Sequence, residues 1–190
     1  MGDAAEDRAK AHELPEGDVI RILLEQHAQV RDLFARIQEA PAAERKEPFD
    51  ELRALLAVHE TAEELVLRPK AEGDDWKRVA NARNREEEEA NRVLAALEDL
   101  DPASEAFLAK LTSFESSVDE HAEAEENEEF PRILETIDAD ERQSLGTRLR
   151  RVEQMAPTHA HPAAAGSTTA QVLTGPFASM IDRVRDALSR

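Results

Sequence analysis

From about residue 17 to residue 155 the apolar residues recur every three or four positions, and strand-like alternation is absent. Pro15 and Gly17 open the first run, with Asp18 as N-cap. Val19, Ile20, Leu23, Leu24, Val30, Leu33, Phe34 and Ile37 mark its buried face, and Pro41 ends it. A second helix is predicted from roughly Ala43 to Arg68, with Pro48 near its start and Phe49, Leu52, Leu55, Leu56, Val58, Leu65 and Val66 as its stripe. Pro69 and Gly73 mark the next turn. A third helix spans about Asp75 to Leu100, with Val79, Ala82, Ala90, Val93, Leu94 and Leu97 inward, and Asp101-Pro102 ends it. Ser104 caps a fourth, which carries Phe107, Leu108, Leu111, Phe114, Val118 and Ala122 and runs on to Phe130-Pro131 and Ile137. Helices of ~20–30 residues joined by short loops predict an all-α, up-down-up-down antiparallel four-helix bundle.

The same pattern sets the domain organisation. Residues 1–16 are charged and apolar-poor, which predicts a disordered N-terminus. The bundle occupies 17–137, and 138–155 adds a short fifth helix. Residues 156–190 read as an Ala/Gly/Ser/Thr linker followed by an amphipathic terminal helix with Met180, Ile181, Val184 and Leu188 on one face.

Composition narrows the chemistry. The 190 residues include no cysteine, which excludes disulfides, zinc ribbons, iron–sulfur clusters and a thiol nucleophile, and suits a reducing cytoplasm. Neither a signal peptide nor a membrane span is expected. Asp and Glu number 42 against 24 Lys and Arg, a formal net charge of −18, so nucleic acid and anionic membranes are poor partners. With six Phe, one Trp and no Tyr, aromatic stacking platforms and tyrosine ligands are disfavoured too.

Six histidines remain to be placed. His12, His159 and His161 fall in the flanking segments, the last two in the linker. His27, His59 and His121 fall one each on the first, second and fourth helices, beside the apolar stripe, so each is expected to point inward. A single inward histidine is ordinarily a satisfied core residue. Three from three helices of one bundle point instead to a shared site. Two carry the same attachment, with Glu63 four residues after His59 and Glu125 four residues after His121. Residues four apart share a helix face, so each pair can engage one metal site. Imidazole nitrogen with carboxylate oxygen suits iron, manganese or zinc. Buried carboxylates must be neutralised or ligated, and the stripes show no inward Lys or Arg to do it.

These residues resemble the hemerythrin-like HHE cation-binding family over about residues 17–136. The likeness runs from Asp18-Val19-Ile20 through His27 to Leu33-Phe34, from Leu56 through His59-Glu60 and Glu63-Glu64 to Pro69, and from His121 through Glu125-Glu126 to Phe130-Pro131. It implies a di-iron centre, two iron ions per chain, ligated by His27, His59, Glu63, His121 and Glu125, with Glu60 as an assisting residue. The third helix departs from the family pattern because it has no histidine. Aligning its apolar stripe puts Glu87 at the ligand position, with Glu86 one step away. Either Glu87 ligates, giving three histidines and three carboxylates, or the site has lost a ligand.

Such a centre binds small molecules at the metal: dioxygen, peroxide or nitric oxide. Anionic oxygen donors stabilise the ferric state, which favours redox turnover or peroxide handling over reversible oxygen carriage. The alternatives are iron sensing or storage, or a metal-free acidic interaction module. No phosphate loop, nucleophile elbow or arginine clamp suggests a larger organic substrate.

Overall fold

The computed structural model describes residues 2–70 and 74–155. Among these residues seven α-helices follow one another: α1 (Ala4–His12), α2 (Val19–Glu39), α3 (Lys46–Ala62), α4 (Asp74–Glu98), α5 (Glu105–Ala124), α6 (Phe130–Thr136) and α7 (Ala139–Met155). Among the described residues there is no strand, and no helix is long and apolar enough to cross a membrane. Helices α2 to α5 form the four-helix bundle that the apolar periodicity predicts. The side chain of Asp18 accepts from the Ile20 amide to start α2, and that of Ser104 accepts from the Phe107 amide to start α5.

Two turns of π-helix follow α3 and α5 without a break, at Glu63–Leu67 and Glu125–Glu129. The second joins α5 to α6, so the fourth bundle helix continues to Thr136. A π turn inserts one residue into the helical ladder and re-aims the side chains around it, and such turns concentrate at functional sites. Both begin on the glutamate of a His-x-x-x-Glu pair.

The N-terminal segment corrects the expectation of disorder over residues 1–16. The Asp3 side chain caps α1, and Ala11 is fully buried in its contact with α2. The helix has little apolar surface and is held by charge instead. Asp7 pairs with Arg31, and Lys10 Nζ lies 2.9 Å from Glu126 Oε2. The short fifth helix appears as α7, packed on α2 and α3. Gly146 makes that contact close, since a Cβ there would collide with the Gly17 carbonyl oxygen. The linker and the amphipathic terminal helix, with His159 and His161, lie outside the described residues.

The core is divided in two. One apolar cluster gathers Val30, Phe34, Leu55, Val58, Leu94 and Phe114; the other gathers Val19, Leu23, Ala62, Trp76, Phe130 and Leu149. Between the two clusters each bundle helix contributes at least one polar residue to the interior: His27 on α2, His59 on α3, Glu87 on α4, and His121 at the end of α5, followed by Glu125. A single polar layer crosses the bundle at one height.

Candidate metal centre

All six side chains singled out in the sequence meet in that layer. One donor atom from each of His27, His59, Glu63 and Glu125 lies within 4.8 Å of the others, and the same holds for Glu63, Glu87, His121 and Glu125. Glu63 and Glu125 belong to both groups. In the first group, His27 Nε2 lies 3.3 Å from Glu125 Oε2, and His59 Nε2 lies 3.5 Å from Glu63 Oε1. In the second, His121 Nε2 lies 2.9 Å from Glu125 Oε1 and 3.8 Å from Glu87 Oε1. Donors bound at ~2.1 Å to one ion sit about 3.0–3.4 Å apart along a coordination edge. The spacing therefore suits a cation between them.

Each imidazole is fixed from behind. His27 Nδ1 lies 3.0 Å from Glu126 Oε1, and His121 Nδ1 lies 2.9 Å from Glu86 Oε2. His59 Nδ1 lies 2.9 Å from Gln26 Oε1, whose amide is oriented by donating from Nε2 to Glu153 Oε1 at 2.9 Å. An acceptor at each Nδ1 keeps the proton there and turns the Nε2 lone pair inward, the arrangement that outer partners impose on metal-binding histidines. Glu86, one of the two α4 candidates, thus supports His121, while Glu87 reaches the centre. Glu60 is tied across to α4, accepting from Asn91 Nδ2 at 2.8 Å, and stands outside both donor groups.

The electrostatics show how poorly the layer satisfies itself. Glu63, Glu125 and His27 are 2%, 0% and 3% exposed, yet neither oxygen of either glutamate nor His27 Nε2 makes a hydrogen bond of good geometry. Burial, reinforced by the Glu125 charge, pushes the Glu63 carboxyl well above the usual carboxylate range. Burial acts the same way on Glu125, but the nearby His121 and His27 outweigh it and hold Glu125 well below that range. Burial also opposes a proton on His121, and the adjacent Glu125 overrides it, pushing His121 up to about 10. Burial with His27 beside it pushes His59 down to about 3. Buried carboxylates without well-formed hydrogen bonds are costly, and a cation held among them would offset that cost.

The structure also corrects the expectation that no inward cationic side chain faces the site. Arg68, which follows the first π turn, reaches Glu87, Glu63 and Glu125. In the sequence Arg68 stands at the end of the second predicted helix, before Pro69 and off the apolar stripe. Glu129 was missed too. It is 2% exposed, and burial with the Glu125 charge raises its carboxyl to about 7. Apolar spacing carries no signal for either, because both stand at the ends of the π turns.

A chamber of about 470 Å³ adjoins the layer. His59, Glu63, Glu87 and His121 line it together with Arg83, Glu86 and Asp119, and Val30, Leu56, Val93, Leu94, Phe114 and Val118 supply the apolar part of its wall.

The hemerythrin HHE cation binding domain matches residues 18–133 as a family model. An uncharacterized hemerythrin-like protein of Schizosaccharomyces pombe is 26% identical over 138 residues, covering 71% of this chain and 68% of the relative. No solved structure matches.

Proposed function

The chain belongs to the hemerythrin HHE cation-binding family, and from that membership we propose that its polar layer holds a non-haem di-iron centre that meets a small oxidant. The proposed ligands are His27, His59, Glu63, Glu87, His121 and Glu125. The observation that carries this reading is the convergence of three Nε2 atoms and three carboxylates in a buried layer, where His27 Nε2 and the oxygens of Glu63 and Glu125 make no hydrogen bond of good geometry. Glu63 and Glu125, which belong to both donor groups, would each help to hold the cations. Manganese or zinc would also suit this donor set.

The chemistry such a centre supplies is electron exchange with dioxygen, peroxide or nitric oxide. The protein's own part is to shape access and charge. The apolar part of the chamber wall leaves room for a small uncharged molecule beside the layer. Gln26, Glu86 and Glu126 keep the three Nε2 lone pairs aimed inward. Three carboxylates against three imidazoles favour the ferric state, so the proposed activity is redox turnover or peroxide consumption.

A second reading has one observation in its favour. Arg68 already supplies a positive charge to the carboxylates, as a metal-free acidic module would require. Metal analysis separates the two. Anaerobically purified protein at saturating iron should carry about two iron ions per chain, as bundle di-iron proteins do, and show ferric charge-transfer bands after oxidation. His59→Ala and His121→Ala should each lower the iron content. Metal-free protein whose stability and spectrum do not respond to iron would favour the module.

A further inference from the structure

The two His-x-x-x-Glu segments correspond more closely than their sequences suggest. In each, the residue nine positions after the histidine precedes a proline: Arg68 before Pro69, Phe130 before Pro131. In each, a π turn starts at the glutamate and ends just before that residue. Each of these residues then covers an inward group of another bundle helix. Phe130 stacks on His27 of α2, with ring centroids 5.5 Å apart. Arg68 grips Glu87 of α4. The correspondence thus sets His27 against Glu87 and Phe130 against Arg68. Where an imidazole gives way to a carboxylate, the aromatic cover gives way to a guanidinium.

The grip is a fork. Arg68 Nη1 donates to Glu87 Oε2 at 2.8 Å, and Nη2 donates to Glu87 Oε1. Nη1 also donates to Asn84 Oδ1 at 2.7 Å. Nη2 lies 3.6 Å from Glu63 Oε2 and 3.9 Å from Glu125 Oε1, so the guanidinium faces all three carboxylates of the second donor group. The Glu87 oxygen that it holds most closely is the one nearest His121 Nε2. Bidentate, charge-assisted pairs are among the stronger polar contacts in proteins, and this one is largely shielded, with the Arg68 side chain 7% exposed. The first group differs. Two imidazole Nε2 atoms, from His27 and His59, already face its shared carboxylates.

We propose that the two cation positions are unequal and that Arg68 makes them so. A cation among His27, His59, Glu63 and Glu125 enters a ready donor set. A cation among Glu63, Glu87, His121 and Glu125 must first displace the guanidinium from Glu87, because the two positive groups compete for the same oxygens. Loading is therefore ordered, first position before second. Arg68 is a positioning residue that keeps Glu87 inward and neutralised until the second cation arrives. This inference rests on the cation-binding reading of the site.

The test titrates the metal-stripped full chain with cobalt(II), following cobalt absorption and bound metal under anaerobic conditions. Wild type should bind one equivalent tightly and a second roughly tenfold or more weakly. Arg68→Met should narrow that gap. If removing the arginine leaves Glu87 unpaired and the variant folds poorly, the double variant Arg68→Phe with Glu87→His recreates the pairing seen at Phe130 and His27. It should bind two equivalents of similar affinity. Two equal sites in wild type, or a gap unchanged in both variants, would overturn the inference and leave the metal site standing. No binding by wild type would remove the cation reading itself, and the inference with it.

Discussion

Glu125 belongs to both donor groups. It is fully buried and faces the Nε2 atoms of three histidines, with neither oxygen in a hydrogen bond of good geometry. Glu125→Gln keeps its volume and removes its charge. The expected outcome is loss of most bound metal with the helical circular dichroism retained; a variant that loads metal like wild type would remove Glu125 from the ligand set. The outer residues make a graded prediction. Gln26 touches no donor carboxylate, yet it sets the tautomer and orientation of His59. Gln26→Leu should weaken metal affinity about 10–100-fold, the usual cost of losing such a partner, with unchanged stoichiometry at saturating metal. Competition against a chelator of known affinity measures this.

The elements explain what was legible in the sequence and what was not. The bundle helices were legible because their apolar stripes follow the 3.6-residue period and their ends carry Asp18, Pro41, Pro69 and Ser104. The gathering of His27, His59 and His121 followed from the same period, since a stripe neighbour on each helix must face the same interior. Arg68 was illegible because its inward course depends on the π turn from Glu63 to Leu67, and apolar spacing carries no signal for an inserted residue. Helix α1 was illegible for another reason. It docks through Asp7 with Arg31 and Lys10 with Glu126, contacts that need the partner helices in place. Glu126 in turn holds His27, so α1 reaches the site through one intermediary. At the other end of that helix layer, Asp18 has a double role. Its Oδ1 accepts from the Ile20 amide at 3.0 Å, and its Oδ2 accepts from Arg142 Nε of α7 at 2.8 Å. Asp18→Ala should lower unfolding stability by about 1–3 kcal/mol, combining a lost cap with an arginine left unpaired. Urea denaturation reads the difference; a change under a few tenths of a kcal/mol would mean α2 and α7 are joined by other contacts.

For the whole molecule, a polar layer between two apolar clusters makes folding and cation binding one problem. The chain carries a formal net charge of −18, and Glu63, Glu125 and Glu129 are buried together at its centre. A bound cation stabilises the folded chain by mass action and offsets that internal repulsion. At metal concentrations about a hundred times Kd the gain is roughly 2.7 kcal/mol, about 5–10 °C in Tm for a domain of this size. Chelation should remove that increment, and differential scanning calorimetry with and without metal will show it. An unchanged Tm would mean Arg68 and the histidines already balance the layer.

Anomalous X-ray diffraction at the iron edge tests the cation centre most directly, using crystals of the iron-loaded full chain. The account predicts density inside the bundle, against His27, His59, Glu63 and Glu125, with further density toward Glu87 and His121 as loading rises. Crystals whose only anomalous density lies on the acidic surface, with the buried layer bare, would contradict it.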